Sequence, residues 1–153
     1  MPLIRSASRS DHPMVLQLLE AEDLGPNGSY SADGVDVIVA DRHGQVVGVA
    51  EYSLNCDFGR PQGRPDHPGE QAWIYSITVA HEQRRNGLGR ALLAEVARRA
   101  QAAGRTVLAM TPQEGSDVPS RLAFFRACGL ALIESNTPGA AWGCTVSGIL
   151  AAL

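Results

Sequence analysis

Val79-Ala80-His81-Glu82-Gln83-Arg84-Arg85-Asn86-Gly87-Leu88-Gly89-Arg90 is the stretch on which the reading of this chain turns. An apolar strand ends at its start, a basic turn with two glycines follows, and an amphipathic helix opens at its end. The first amides of a helix have no partner within the helix, and the helix dipole adds about half a positive charge there. Gly87 and Gly89 keep side chains out of the way, so an anion can approach the backbone, and Arg84, Arg85 and Arg90 add charge of the matching sign. This is the chemistry of a phosphate cradle. A packing explanation stands beside it, since glycines also let a helix start close against a sheet. Two other glycine loops are excluded. A Walker A loop requires Gly-Lys-Ser/Thr, and a dinucleotide fingerprint requires a third glycine where Leu92 stands.

Working outward, Trp73-Ile74-Tyr75-Ser76-Ile77-Thr78-Val79 reads as a buried strand over 72–79. Leu88, Leu92, Val96 and Ala100 recur at i, i+4 with Leu93 and Ala97 beside them, which predicts a helix over about 87–103 ended by Gly104. Residues 106–110 read as the next strand, so the three elements form a βαβ unit with parallel strands. Upstream, strands over 35–40 and 45–54 flank Asp41-Arg42-His43-Gly44 and read as an antiparallel hairpin. Residues 2–7 fit an edge strand. Asp11 offers an N-cap to a helix whose apolar side is Val15, Leu16, Leu18 and Leu19. Stretches 22–34 and 55–70 read as loops. Downstream, Ser116, Asp117 and Pro119 start a helix with Leu122, Phe125 and Cys128 on its apolar stripe, and Gly129 stops it. Residues 130–134 and 141–147 read as two closing strands. The order β-α-β-β-β-α-β-α-β-β predicts a mixed sheet with helices on its faces.

Composition sets the outer limits. The 153 residues suit one domain, 1–153, and 44% hydrophobic with 19% charged residues is the profile of a soluble globular protein. A net charge of −3 offers no broad basic surface for nucleic acid. No apolar run approaches the about 18 residues of a membrane span, and the opening residues lack the apolar core of a signal peptide, so a cytoplasmic location is expected. Cys56, Cys128 and Cys144 are far apart and odd in number, which predicts reduced thiols. His12, His43, His67 and His81 lack metal-ligand spacing, so no metal is expected.

Arg84-Arg85-Asn86-Gly87-Leu88-Gly89, preceded by Ile77-Thr78-Val79 and followed by Arg90-Ala91-Leu92-Leu93, resembles the R/Q-x-x-G-x-G/A hallmark of the GCN5-related N-acetyltransferase (GNAT) superfamily. Ile4-Arg5-Ser6-Ala7 with Ser10-Asp11 looks like the family's first strand and helix cap. The hairpin matches its second and third strands, and Phe124-Phe125-Arg126-Ala127-Cys128-Gly129-Leu130 is similar to its late F-Y-x-x-x-G-F segment. The resemblance covers nearly the whole chain in order. It implies an α/β fold (α+β in some schemes) with a mixed, mostly antiparallel central sheet flanked by helices and a parallel βαβ unit at its centre.

The resemblance also implies a site. The backbone of Arg84, Arg85, Asn86, Gly87, Leu88, Gly89 and Arg90 would hold the pyrophosphate of acetyl-CoA, the acyl donor. Ile77, Thr78 and Val79 would run along its pantetheine arm, and an N–H near Val79 would polarise the acyl carbonyl. An uncharged amine, on a small molecule or a peptide, would attack the thioester directly. The family's tyrosine acid falls at Phe125, which cannot donate a proton but can pack beside the arm. Candidates for proton transfer are Tyr75, a poor base at an unperturbed pKa near 10, and Glu70 and Glu114, which are also ordinary loop charges. The acceptor would lie among loops 20–34, 55–70 and 111–118, whose carboxylates suit a cationic amine and are equally ordinary surface charge. The missing tyrosine keeps a second reading open, a catalytically silent acyl-CoA-binding regulatory module. The closing strands leave edges that could pair between chains, so a homodimer is the default expectation.

Overall fold

In the computed structural model, which describes residues 2–21, 34–56, 70–110, 118–132 and 141–153, the decisive stretch joins a strand to a helix as read. The elements run β1 (Leu3–Ser6), α1 (His12–Ala21), β2 (Asp36–Arg42), β3 (Gln45–Cys56), β4 (Gln71–Val79), α2 (Leu88–Ala102), β5 (Val107–Met110), α3 (Val118–Ala127), β6 (Ala131–Leu132), β7 (Trp142–Thr145) and α4 (Val146–Ala152). Seven strands pair in the order β1-β2-β3-β4-β5-β7-β6. β4 and β5 are parallel, whereas β1–β2, β2–β3, β5–β7 and β6–β7 are antiparallel. The sheet is therefore mixed and mostly antiparallel, with the parallel βαβ step at its middle. No helix of the described residues is long and apolar enough to cross a membrane.

The chain divides into two compact units, residues 1–53 with 75–96, and residues 54–74 with 97–153. In the first, α1 lays Val15, Leu18 and Leu19, spaced i, i+3, i+4, against Val39 of β2 and Val49 of β3. The opposite face of β3 receives α2 so closely that a Cβ on Gly48 would lie 3.1 Å from Leu92 Cδ1 and 3.4 Å from Leu88 Cδ2. The β2–β3 turn needs two left-handed residues, His43 (φ 54°) and Gly44 (φ 84°), and Asp41 Oδ1 accepts from Gly44 N at 2.7 Å. A 3-10 turn, Arg9–Asp11, leads into α1. The Asp11 carboxylate reaches back to Ser8 N at 2.7 Å and accepts two bonds from Arg5 at 2.7 and 2.9 Å. Arg5 also holds Asp41 at 2.9 Å, so one guanidinium ties β1, β2 and the entry to α1.

In the second unit β5 is buried throughout. It pairs with Ala72, Trp73 and Ile74 of β4 on one side and with β7 on the other. The buried Gln71 Oε1 accepts from Thr106 N and Val107 N, both at 3.0 Å, which fixes where β5 begins. Gly104 (φ 77°) ends α2 and Gly129 (φ 86°) ends α3 in the same way. Arg105 N bonds Ala100 O with Gly104 N on Gln101 O, and Leu130 N bonds Phe125 O with Gly129 N on Arg126 O. The last expected strand, 141–147, is corrected in part. Strand stops at Thr145, whose Oγ1 accepts from Gly148 N at 3.1 Å and caps a helix that buries Val146 and Ile149.

Candidate functional site

The turn between β4 and α2 lies wholly in the first unit. Arg84 is extended (φ −68°, ψ 158°), and Arg85 (φ 66°) and Gly87 (φ 77°) are left-handed with Asn86 between them. Alternating backbone hand of this kind turns successive N–H groups toward one concavity, which suits an anion. A non-glycine residue with positive φ is uncommon, so Arg85 is a strained point of this turn, as His43 is of the β2–β3 turn. Among the described residues nothing lies within 4 Å of where a Cβ on Gly87 would stand, so they leave the space above the turn open. The first bond of the helix ladder runs from Ala91 N to Gly87 O at 3.0 Å, so the amides of Leu88 and Gly89 point out of the helix start. Arg84, Arg85, Asn86 and Arg90 are exposed there. Arg84 is also a latch, its Nε donating to Val79 O at 3.3 Å and tying the turn to the end of β4.

Along β4 the faces alternate. Ala72, Ile74, Ser76 and Thr78 are buried, whereas Trp73, Tyr75, Ile77 and Val79 are half-buried. Among the described residues the parallel ladder covers Ala72–Ile74 with Leu108–Met110, and β4 runs on to Val79 beyond it. Thr78 is 4% exposed and, among the described residues, its Oγ1 has no hydrogen-bond partner. A buried hydroxyl left in that state is costly and needs an explanation.

The proton-transfer candidates stand in different places. Tyr75 is half-buried on β4 in the first unit. Glu70, in the second unit, has a side chain 56% exposed and lies 3.5 Å from Arg105 Nη2. Glu114 lies outside the described residues, as do most of the expected acceptor loops, 22–33, 57–69 and 111–117. Phe125, in the second unit, is buried, its ring centroid 5.9 Å from that of Trp142, over which Arg126 lies at 5.2 Å.

A carboxylate the sequence reading passed over is placed more tellingly. Glu51 of β3 is 2% exposed, and Ser76 Oγ of β4 donates to its Oε1 at 2.8 Å. The signal was present. Strand alternation puts Glu51 on the same face of β3 as Val49, and both are buried. A charge written in an inward register is rare unless it is paired or functional.

A family model described as "Acetyltransferase (GNAT) family" matches residues 3–130. Among solved structures, a GNAT-family protein from Desulfovibrio desulfuricans is 19% identical, with TM-score 0.74 over 95% of this chain and 99% of that one. A ribosomal-protein-alanine N-acetyltransferase from Brucella melitensis is 24% identical, with TM-score 0.66 over 94% and 99%. An aminoglycoside N-acetyltransferase in complex with CoA is 18% identical, with TM-score 0.70 over 89% and 96%. At these identities the likeness is one of fold. No curated protein sequence matches the chain.

Proposed function

Because the chain belongs to the GNAT acetyltransferase family, we propose that it transfers the acetyl group of acetyl-CoA to a primary amine. The observation that carries this reading is the turn over Arg84 to Arg90, with left-handed Arg85 and Gly87, open space above Gly87, and exposed arginines at the start of a 15-residue helix. That arrangement fits the two negative phosphates at the middle of CoA. The fold shared with an aminoglycoside N-acetyltransferase in complex with CoA supports the same carrier.

With the pyrophosphate on the turn, the pantetheine arm runs along Ile77, Thr78 and Val79, where β4 extends past its pairing with β5 among the described residues. Its amides bond the strand as an added strand would. An N–H at the strand end polarises the acyl carbonyl, a neutral amine adds to the carbonyl carbon, and the thiolate departs. A thiol of pKa near 8.5 leaves without an acid, so Phe125 in place of a tyrosine does not block the reaction. Both acceptor classes that the resemblance implies, a small amine and a peptide amine, have counterparts of the same fold, an aminoglycoside and a ribosomal-protein-alanine N-acetyltransferase.

The absence of a hydroxyl at Phe125 favours one other reading, a CoA-binding module without turnover. Calorimetric titration with acetyl-CoA, paired with thiol-release assays over a panel of primary amines, separates the two. Saturable binding that Gly89→Glu abolishes, with turnover of at least one amine, is the expected result. Binding without turnover supports the silent module, and no binding overturns both.

A further inference from the structure

Transfer to an amine needs a group that takes the nitrogen's proton, and the phosphate turn and the strand backbone contain none. β3 and β4 carry a buried polar row that does. Glu51 is among the largest fully buried side chains of the protein. The residue directly opposite it on β2 is Val37, and from β4 Ser76 Oγ donates to its Oε1 at 2.8 Å. Two residues further along β4, on the same face, Thr78 Oγ1 is buried without a partner among the described residues. Burying a carboxylate and leaving a hydroxyl unmet both cost free energy. Their coincidence in one row, with Thr78 one residue from the strand end to which the turn is latched, puts proton-handling groups beside the path read above for the pantetheine arm.

We propose that Glu51 is the proton acceptor of the transfer and acts through Ser76. The inference rests on the acyl-transfer reading above. The nitrogen lone pair adds to the thioester carbon and forms the C–N bond. The C–S bond breaks, and sulfur leaves with the electron pair as CoA thiolate. The N–H proton passes to Ser76 Oγ as the hydroxyl's own proton passes to Glu51 Oε1, and the resulting acid later returns it to solvent. Ser76 is the group that touches the nitrogen. Glu51 is the positioning residue behind it, and Thr78 Oγ1 is where the incoming nitrogen, or a water it displaces, finds a partner.

The test uses the amine that the wild-type protein turns over, with Glu51→Gln, Glu51→Asp and Ser76→Ala. Gln keeps the shape of Glu and can still accept from Ser76, so Glu51→Gln should keep the wild-type melting temperature, CoA affinity and KM. Its kcat should fall on the order of 100-fold. Asp retains a carboxylate but leaves space in the core, so Glu51→Asp should be less stable than Glu51→Gln yet more active. A carboxylate with a packing role alone gives Glu51→Gln the advantage in both measurements. Ser76→Ala should lower kcat to a similar extent, and the Glu51→Gln/Ser76→Ala double variant should be no slower than the worse single, as expected of groups acting as a unit. Glu51→Gln at wild-type kcat overturns the inference alone. A wild-type protein that binds acetyl-CoA and turns over no amine overturns the transfer reading and this one with it. If Glu51→Gln fails to fold, Glu51→Asp and Ser76→Ala decide: wild-type kcat in both overturns the inference.

Discussion

Thr78 shows how much a single residue can report. Its neighbours on the sequence, Ile77 and Val79, read with it as one apolar strand end, and nothing in that run marks the hydroxyl as special. Burial is what makes it so, because Oγ1 has no hydrogen-bond partner among the described residues. Val has the same shape without the hydroxyl. Thr78→Val should therefore raise the stability of the ligand-free protein by about 1 kcal/mol, measured by urea denaturation. A loss of stability would show that Oγ1 has a water partner. Gly87 makes the converse point, since its positive φ is demanded by the backbone while the space around it is open. There, a glycine recognised in the sequence already implied the turn.

At the scale of elements, the entry to α1 and the exit from β7 hold the clearest energetics. Arg5 bridges Asp11 and Asp41. The hydrogen bonds from Arg5 hold both carboxyls below the usual carboxylate range, aided at Asp11 by Ser8 and at Asp41 by Gly44 N, with burial opposing. A depressed folded pKa contributes stability that is present above the unfolded value, near 3.9, and is lost as the pH falls below it. The melting temperature should thus hold steady from neutrality to about pH 5 and fall through pH 4 and below. Arg5→Met should lower it at pH 7 and flatten the acid decline, as thermal melts across that range would show. At the other end, Thr145→Ala removes the cap on α4 and should cost about 1 kcal/mol, read from chemical denaturation. The cap also explains why the closing strand is shorter than expected. Val-Ser-Gly-Ile after a threonine satisfies the helix start locally, and Val146 with Ile149 supplies the i, i+3 apolar pair.

For the whole molecule, the proposed binding of acetyl-CoA at the turn between β4 and α2 should be felt as stability. A ligand present at about 100 times its Kd adds about 2.7 kcal/mol to a protein that binds it only when folded. For a chain of this size that is a rise of roughly 5–10 °C in melting temperature. Acetyl-CoA should produce that rise in the wild type and none in Gly89→Glu; an equal rise in the variant would place the ligand away from the turn. By itself the sequence determined the order of elements as far as β7, the parallel step between 72–79 and 106–110, and the basic glycine turn between them. Each rests on local signals: apolar periodicity, glycine at fixed offsets, and charge beside a helix start. The pairing order, which inserts β7 between β5 and β6, was decided by tertiary structure. So were the role of Arg84 as a latch on Val79 and the meeting of Glu51 with Ser76, 25 residues apart in the chain. Contacts of that range depend on which strands become neighbours and at what register, and a hydrogen bond between two strands leaves no pattern in either one alone.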